Sequence, residues 1–203
     1  MNKTIEFVGF SKIARLSREM VITEKIDGTN GQIYIEEDGT FLVGSHTQWI
    51  TPDKDNHGFA RWTYDNKEEL MKLGKGRHFG EWWGSGINRG YGLQKGEKRF
   101  SLFNVIRWCN YGTEPKQIPT GDPRLVKMQE VLPSIVSLVP ELYRGLFDTN
   151  KAVEILEHLK NHGSYAVPGF MRPEGIVVYH IAGNVGFKKT VEKDDVPKSM
   201  RGE

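Results

Sequence analysis

An α+β fold built largely from antiparallel sheets is what this sequence predicts, and three features predict it. Residues 31 to 46 read as a hairpin, because GQIYIEE and TFLVGSH alternate and are joined by Asp38-Gly39. A second hairpin, GIVVYHI followed by VGFKKT, turns at Ala182-Gly183-Asn184. The helical stretches fall irregularly between strands, without the strict alternation that a parallel α/β sheet requires.

In chain order, Val21, Ile22 and Ile26 mark an apolar strand that ends in a glycine-containing turn, and the first hairpin follows it. Residues 65–73 (DNKEELMKL) predict a helix, and residues 77–82 and 99–107 predict strands. Two more helices are expected at 122–131 (DPRLVKMQEV) and 149–162 (TNKAVEILEHLKNH). In the last, Thr149 is the expected cap, and Val153, Leu156 and Leu159 mark one face. The tail, VEKDDVPKSMRGE, carries mixed charge.

Bulk properties bound the function. The 203 residues suit one domain, and 37% hydrophobic with 27% charged residues suits a soluble globular one. Lys and Arg total 28 against 26 Asp and Glu, so any basic surface for a polyanion must be local. The single cysteine, Cys109, excludes an intramolecular disulfide framework and fits a reducing compartment. MNKTIEFVGF lacks the apolar core of a signal peptide, and no apolar run approaches the roughly 20 residues of a membrane helix. A cytoplasmic protein with no membrane partner is therefore expected. There is no Walker GxxxxGK[ST], and no GxGxxG in a strand-turn-helix setting. The histidines at 46, 57, 78, 158, 162 and 180 form no zinc pattern with Cys109, and His158 and His162 suit a solvated helix face.

The turn TEKIDGTN poses the chemical question. A lysine attacks as a nucleophile only when its amine is neutral, which burial or nearby positive charge favours. Apolar flanks surround Lys25, and Lys188-Lys189 at a strand end offer the second condition. The plainer alternative has Lys25 leaning out of the strand to pair with Glu24 or Asp27. Gly28 weighs toward a ligand, since it lets backbone approach one closely. In HFGEWWGSGINRGYG, Glu81 is either turn chemistry or an acceptor for ligand hydroxyls, with Asn88 and Arg89 near phosphate. Phe103 is a core aromatic or a stacking surface for a nucleobase. Glu174, before a strongly apolar strand, is a cap or a metal ligand beside phosphates, a setting that suits Mg²⁺.

Taken in order, Lys25-Ile26-Asp27-Gly28, Glu81 within FGEWWG, Phe103, Glu174-Gly175 and Lys188-Lys189 resemble the five motifs of the covalent nucleotidyltransferases. TEKIDGTN followed by FGEWWGSGIN most resembles the RNA ligase 2-type family found in phages, over residues 20 to 195. DNA ligases usually carry arginine where this chain has Asn30. The resemblance implies a single nucleotidyltransferase (ATP-grasp-like) domain over residues 1–203, with flanking helices and the nucleotide in a cleft between sheets. RNA ligase 2-type enzymes generally add a C-terminal helical domain and DNA ligases an OB domain; with about a dozen residues after the last motif, neither is expected here.

The resemblance also implies ATP, Mg²⁺ or Mn²⁺, and a monomer acting on RNA with 3′-hydroxyl and 5′-phosphate ends or on a nicked duplex. Lys25 would form a lysyl-AMP, with Lys188 or Lys189 neutralising phosphate charge. Glu174 would position the metal, Glu81 would read the ribose and Asn30 would contact the nucleotide. Phe103 would stack on adenine, with Glu24 near its amino group. Neighbours on a strand face opposite ways, so one motif lysine reaches the nucleotide, and Lys188 is favoured. His46 stands where the related families more often have arginine. A minimal DNA ligase, a capping-type guanylyltransferase and a binding module without ligation are the competing readings.

Overall fold

The strand-and-turn pattern folds into two antiparallel sheets, seen in a computed structural model that describes residues 6–10, 12–103, 132–192 and 194. The first sheet has the order β10–β9–β1–β8, formed by Val185–Thr190, Gly175–His180, Glu19–Lys25 and Glu141–Leu146. The second has the order β4–β3–β2–β5–β6–β7. Its strands are Trp49–Ile50, Phe41–Gly44, Thr29–Ile35, Gly76–Gly84, Lys98–Leu102 and Val136–Leu138. Only the β6–β7 pairing is parallel among the described strands.

Each sheet buries one face, as period-two alternation dictates. Met20, Ile22, Ile176 and Val178 of the first sheet pack under helix α3 (Thr149–His162) through Ala152, Leu156 and Leu159. Ile33, Ile35, Phe41, Val43, Trp82, Phe100 and Leu102 of the second pack on Phe59 and Ala60 of α1 (Phe59–Asp65) and Leu70 of α2 (Lys67–Leu70). Gly31 and Gly80 face each other across β2 and β5, and a Cβ on either would lie 2.6 Å from a ring carbon of Phe59 or Phe100. The pair of hydrogens makes room for both rings.

The chain crosses from the first sheet to the second through Ile26–Gly28, between β1 and β2. Ile26 anchors that crossing in a third cluster with Trp83, Tyr91 and Val139, against which Phe103 and Phe170 pack.

Both expected hairpins form, at 31–46 and 175–190. Helix α3 matches its expected span, but Asp148 caps it: its carboxylate accepts from Asn150 N at 2.8 Å. Asp148 precedes the first helical residue, where a short acceptor side chain reaches the free N–H groups, so Thr149 is not the cap. Val153 is 49% exposed, and Ala152 takes its place on the buried stripe. The helix expected at 65–73 begins earlier, at Phe59, breaks at Asn66 and ends in a 3₁₀ turn. Phe59 and Ala60 face the core, a tertiary demand that local propensity does not show. The helix expected at 122–131, the end of the strand expected at 99–107, and Cys109 lie outside the described residues.

Candidate active site

The crossing turn forms the floor of a cleft of about 1140 Å³ between the sheets. Strand register decides which side chains enter it. Cross-strand neighbours share a face, so Lys25, Thr23, Val177 and Lys188 stand on the open face of the first sheet. Asn30 pairs in register with Glu81 on the open face of the second. Lys25, Asn30, Glu81, Phe103, Glu174 and Lys188 all line the cleft.

Lys25 Nζ donates to Glu174 Oε2 at 2.5 Å, so its partner is neither Glu24 nor Asp27. Asp27 is held elsewhere: it accepts from Asn88 Nδ2 at 2.9 Å and from Arg89 Nε at 3.0 Å. Its N–H donates to the Tyr91 hydroxyl at 2.9 Å. Asn88 and Arg89 thus brace the turn, and Asn88 also lines the cleft. Gly28 leaves no space for a side chain, since a Cβ there would lie 2.4 Å from Trp82 O and 2.7 Å from Trp83 Cβ. That close approach lets Gly28 N donate to Glu81 Oε1 at 3.0 Å.

Asn30 Nδ2 donates to Glu81 Oε2 at 3.0 Å, completing a Gly28–Glu81–Asn30 link across the sheet. Burial pushes the Glu81 carboxyl up to about 7, against the pull of Lys25 and the Gly28 N–H. Each Glu81 oxygen retains a lone pair for a ligand hydroxyl.

Glu24, expected near the adenine amino group, also lines the cleft. It shares its face with Ile176, turned toward α3, and is 1% exposed. Its carboxylate accepts from the Ser164 hydroxyl at 2.6 Å and from the N–H groups of Tyr165 and Ala166 at 2.8 and 3.0 Å. Burial still raises its pKa, the three donors notwithstanding. Glu24 therefore ties the loop after α3 to β1.

The two neighbouring lysines divide as alternation requires. Lys188 enters the cleft, whereas Lys189 bonds Asp194 Oδ2 at 3.0 Å on the other face. His46 is exposed at the rim of the cleft. Tyr91 and Asn88 hold the turn and the Ser164–Ala166 loop holds Glu24, contacts that sequence reasoning did not weigh. The Tyr91 hydroxyl is legible only once the turn is seen to pass over it.

The fold is that of the RNA ligase nucleotidyltransferases. The RNA ligase family model matches residues 18–193, and the chain belongs to that family. No curated protein matches it. Among solved structures, an RNA ligase of Naegleria gruberi without ligand matches with TM-score 0.56 at 22% identity, over 86% of this chain and 50% of that one. A form of a Naegleria gruberi RNA ligase with ATP and Mn gives 0.56 at 21%, over 85% and 48%. One with AMP and Mn gives 0.54 at 23%, over 86% and 50%. The chain spans about half the length of these ligases.

Proposed function

We propose that this chain is an ATP-dependent RNA ligase that works through a lysyl-AMP intermediate. The observation that carries the reading is the convergence of Lys25, Glu81, Glu174 and Lys188 on one cleft at the crossing between two sheets. Family membership and the likeness to ligases with ATP and Mn support it.

In the first step, Lys25 Nζ attacks the α-phosphorus of ATP. An N–P bond forms, the bond to pyrophosphate breaks, and a proton leaves Nζ. Glu174, at hydrogen-bond distance, is placed to accept that proton or pass it to water. The reaction is in-line phosphoryl transfer, in which positioning and charge neutralisation dominate. Lys188 on the adjoining strand face neutralises phosphate charge. Glu81 holds the ribose hydroxyls, with Asn30 beside it, and Phe103 offers its ring to adenine. AMP then passes to an RNA 5′-phosphate, and a 3′-hydroxyl displaces it to seal the strand.

Among the described residues, no three His, Cys, Asp or Glu side chains converge. That sparse donor set fits Mg²⁺ or Mn²⁺, which bind by one or two carboxylates beside substrate phosphates. Glu174 is the carboxylate that would hold the ion, which would neutralise charge on the transferred phosphoryl group.

Incubation with α-³²P-ATP and a divalent ion, followed by denaturation, tests the first step. Wild type is expected to carry label and Lys25→Ala none. Joining of 5′-phosphate to 3′-hydroxyl RNA tests the rest. Label without joining of any RNA end would sink the ligase reading, and faster sealing of all-DNA nicks would move it to DNA.

A further inference from the structure

The cleft is larger than the roughly 300–1,000 Å³ of an ordinary small-molecule pocket. Its excess leads away from Lys25. Arg77 and Phe79, which line it, stand on β5 before Glu81, and Arg77 lies about 13 Å from Glu81 along an extended strand. There the open face of the second sheet carries a mixed stack. Tyr34 pairs in register with Arg77, and Gln32 with Phe79. The Arg77 guanidinium lies 4.6 Å from the Tyr34 ring centroid and 5.5 Å from that of Trp49. Tyr34 and Trp49 are 6.3 Å apart, tilted by 45°. Arg77 Nη1 donates to Gln32 Oε1 at 3.0 Å, which fixes the plane of the guanidinium.

Trp49 is 46% exposed and Phe79 38%. Glu36 accepts from the Tyr34 hydroxyl, and Lys75 bridges Glu36 and Glu37. A row of rings, two of them exposed, with a planar cation and continuous with the cleft through Arg77 and Phe79, has the chemistry of a single-strand stacking surface.

We propose that Trp49, Tyr34, Arg77 and Phe79 form a platform on which bases of the RNA strand stack as its end enters the cleft. The choice of RNA rests on the ligase reading above. The occupant would be single-stranded at this point, because paired bases hide their faces in the helix. The simpler alternative is a cross-strand clasp that only stabilises the edge of the sheet.

The test is fluorescence anisotropy with a labelled, 5′-phosphorylated single-stranded RNA of about ten nucleotides, within the range such surfaces engage. Trp49→Ala and Arg77→Lys are each expected to weaken binding about tenfold, as loss of one base stack would. Arg77→Lys keeps the charge, so the salt dependence of binding should persist while affinity falls. Trp49→Ala should leave the rate of self-adenylylation unchanged. If both variants bind RNA like wild type, the platform is overturned. A lowered melting temperature with unchanged RNA affinity would identify the clasp, and DNA bound as tightly as RNA with the same losses would remove the assignment to RNA. Protein that takes no label but loses RNA on Trp49→Ala would keep the platform and remove the ligase reading. Labelled protein whose affinity ignores both substitutions would do the reverse.

Discussion

Replacing Glu81 by glutamine separates the stability of the fold from the chemistry of the cleft. Burial raises the Glu81 carboxyl from an ordinary 4.5 to about 7, with Glu174 and Asp27 pushing the same way. At 1.36 kcal/mol per pH unit, that displacement amounts to about 3 kcal/mol of folding free energy. The sign follows from proton counting. Between those two pH values the folded state keeps a proton that the unfolded chain releases, so stability falls as pH rises. The contribution is complete below pH 4.5 and gone above about 7. Glutamine has the same shape and does not titrate. It still accepts from Gly28 N, and the Asn30 amide can turn its oxygen toward the new NH₂ group. Urea melts of both proteins from pH 4 to 9 provide the assay. The difference in unfolding free energy should move by about 3 kcal/mol in favour of Glu81→Gln as pH rises, then level off. Taking the difference removes Glu36, Glu97, Asp38 and Asp194, which titrate with the opposite sign in both proteins. A difference independent of pH would refute the reasoning.

The remaining expectations concern the cleft and its supports. Lys188→Ala should slow self-adenylylation on the order of a hundredfold, as loss of a preorganised phosphate contact does. Lys189→Ala, which breaks only a surface pair with Asp194, should leave that rate within a few-fold; equal effects in single-turnover labelling would contradict the strand register. Glu24→Ala strands a buried hydroxyl and two backbone N–H groups and should cost about 3 kcal/mol in a denaturant melt. Gly28→Ala forces a methyl against Trp82 O and should cost about 1–3 kcal/mol while displacing the turn, so labelling falls with stability. Glu174→Gln removes the anion that competes with phosphate for Lys25. Calorimetry without divalent ion should show ATP binding tightened about fivefold, while metal-dependent labelling falls.

Much of this architecture was legible in local pattern. Asp38-Gly39 and the turn at Ala182-Gly183-Asn184 specify their hairpins by turn chemistry alone. Helix α3 announces itself by its period. Strands β7 and β8 escaped the reading, since Glu141–Leu146 carries Glu141 and Arg144 amid its apolar residues. Arg144 is buried because Glu19 and Glu141 pair with it at 2.7 and 2.9 Å, a compensation assembled only in three dimensions. The site was legible as residue types in order. Its partnerships were not: neither Glu174 opposite Lys25 nor Arg89 on Asp27 follows from spacing, because residues far apart in sequence supply them.

Glu24 and Lys25 show how strand alternation divides neighbouring motif residues. On β1, Glu24 and Lys25 point to opposite faces, and the same alternation sends Lys188 to the cleft and Lys189 away from it. What fixes the choice is apolar. Met20, Ile22, Ile176 and Val178 all lie on the face under α3 and are buried there. A slip of one residue in β1 would turn Met20 and Ile22 toward the open cleft. At about 1.5–3 kcal/mol for each fully buried side chain, that is roughly 3–6 kcal/mol from β1 alone, an upper estimate. The same slip would aim Glu24 at the cleft and drive Lys25 beneath the helix, where its charge would lose Glu174. Burial of four hydrophobic side chains on one face of the sheet thus sets the direction of the reactive amine on the other.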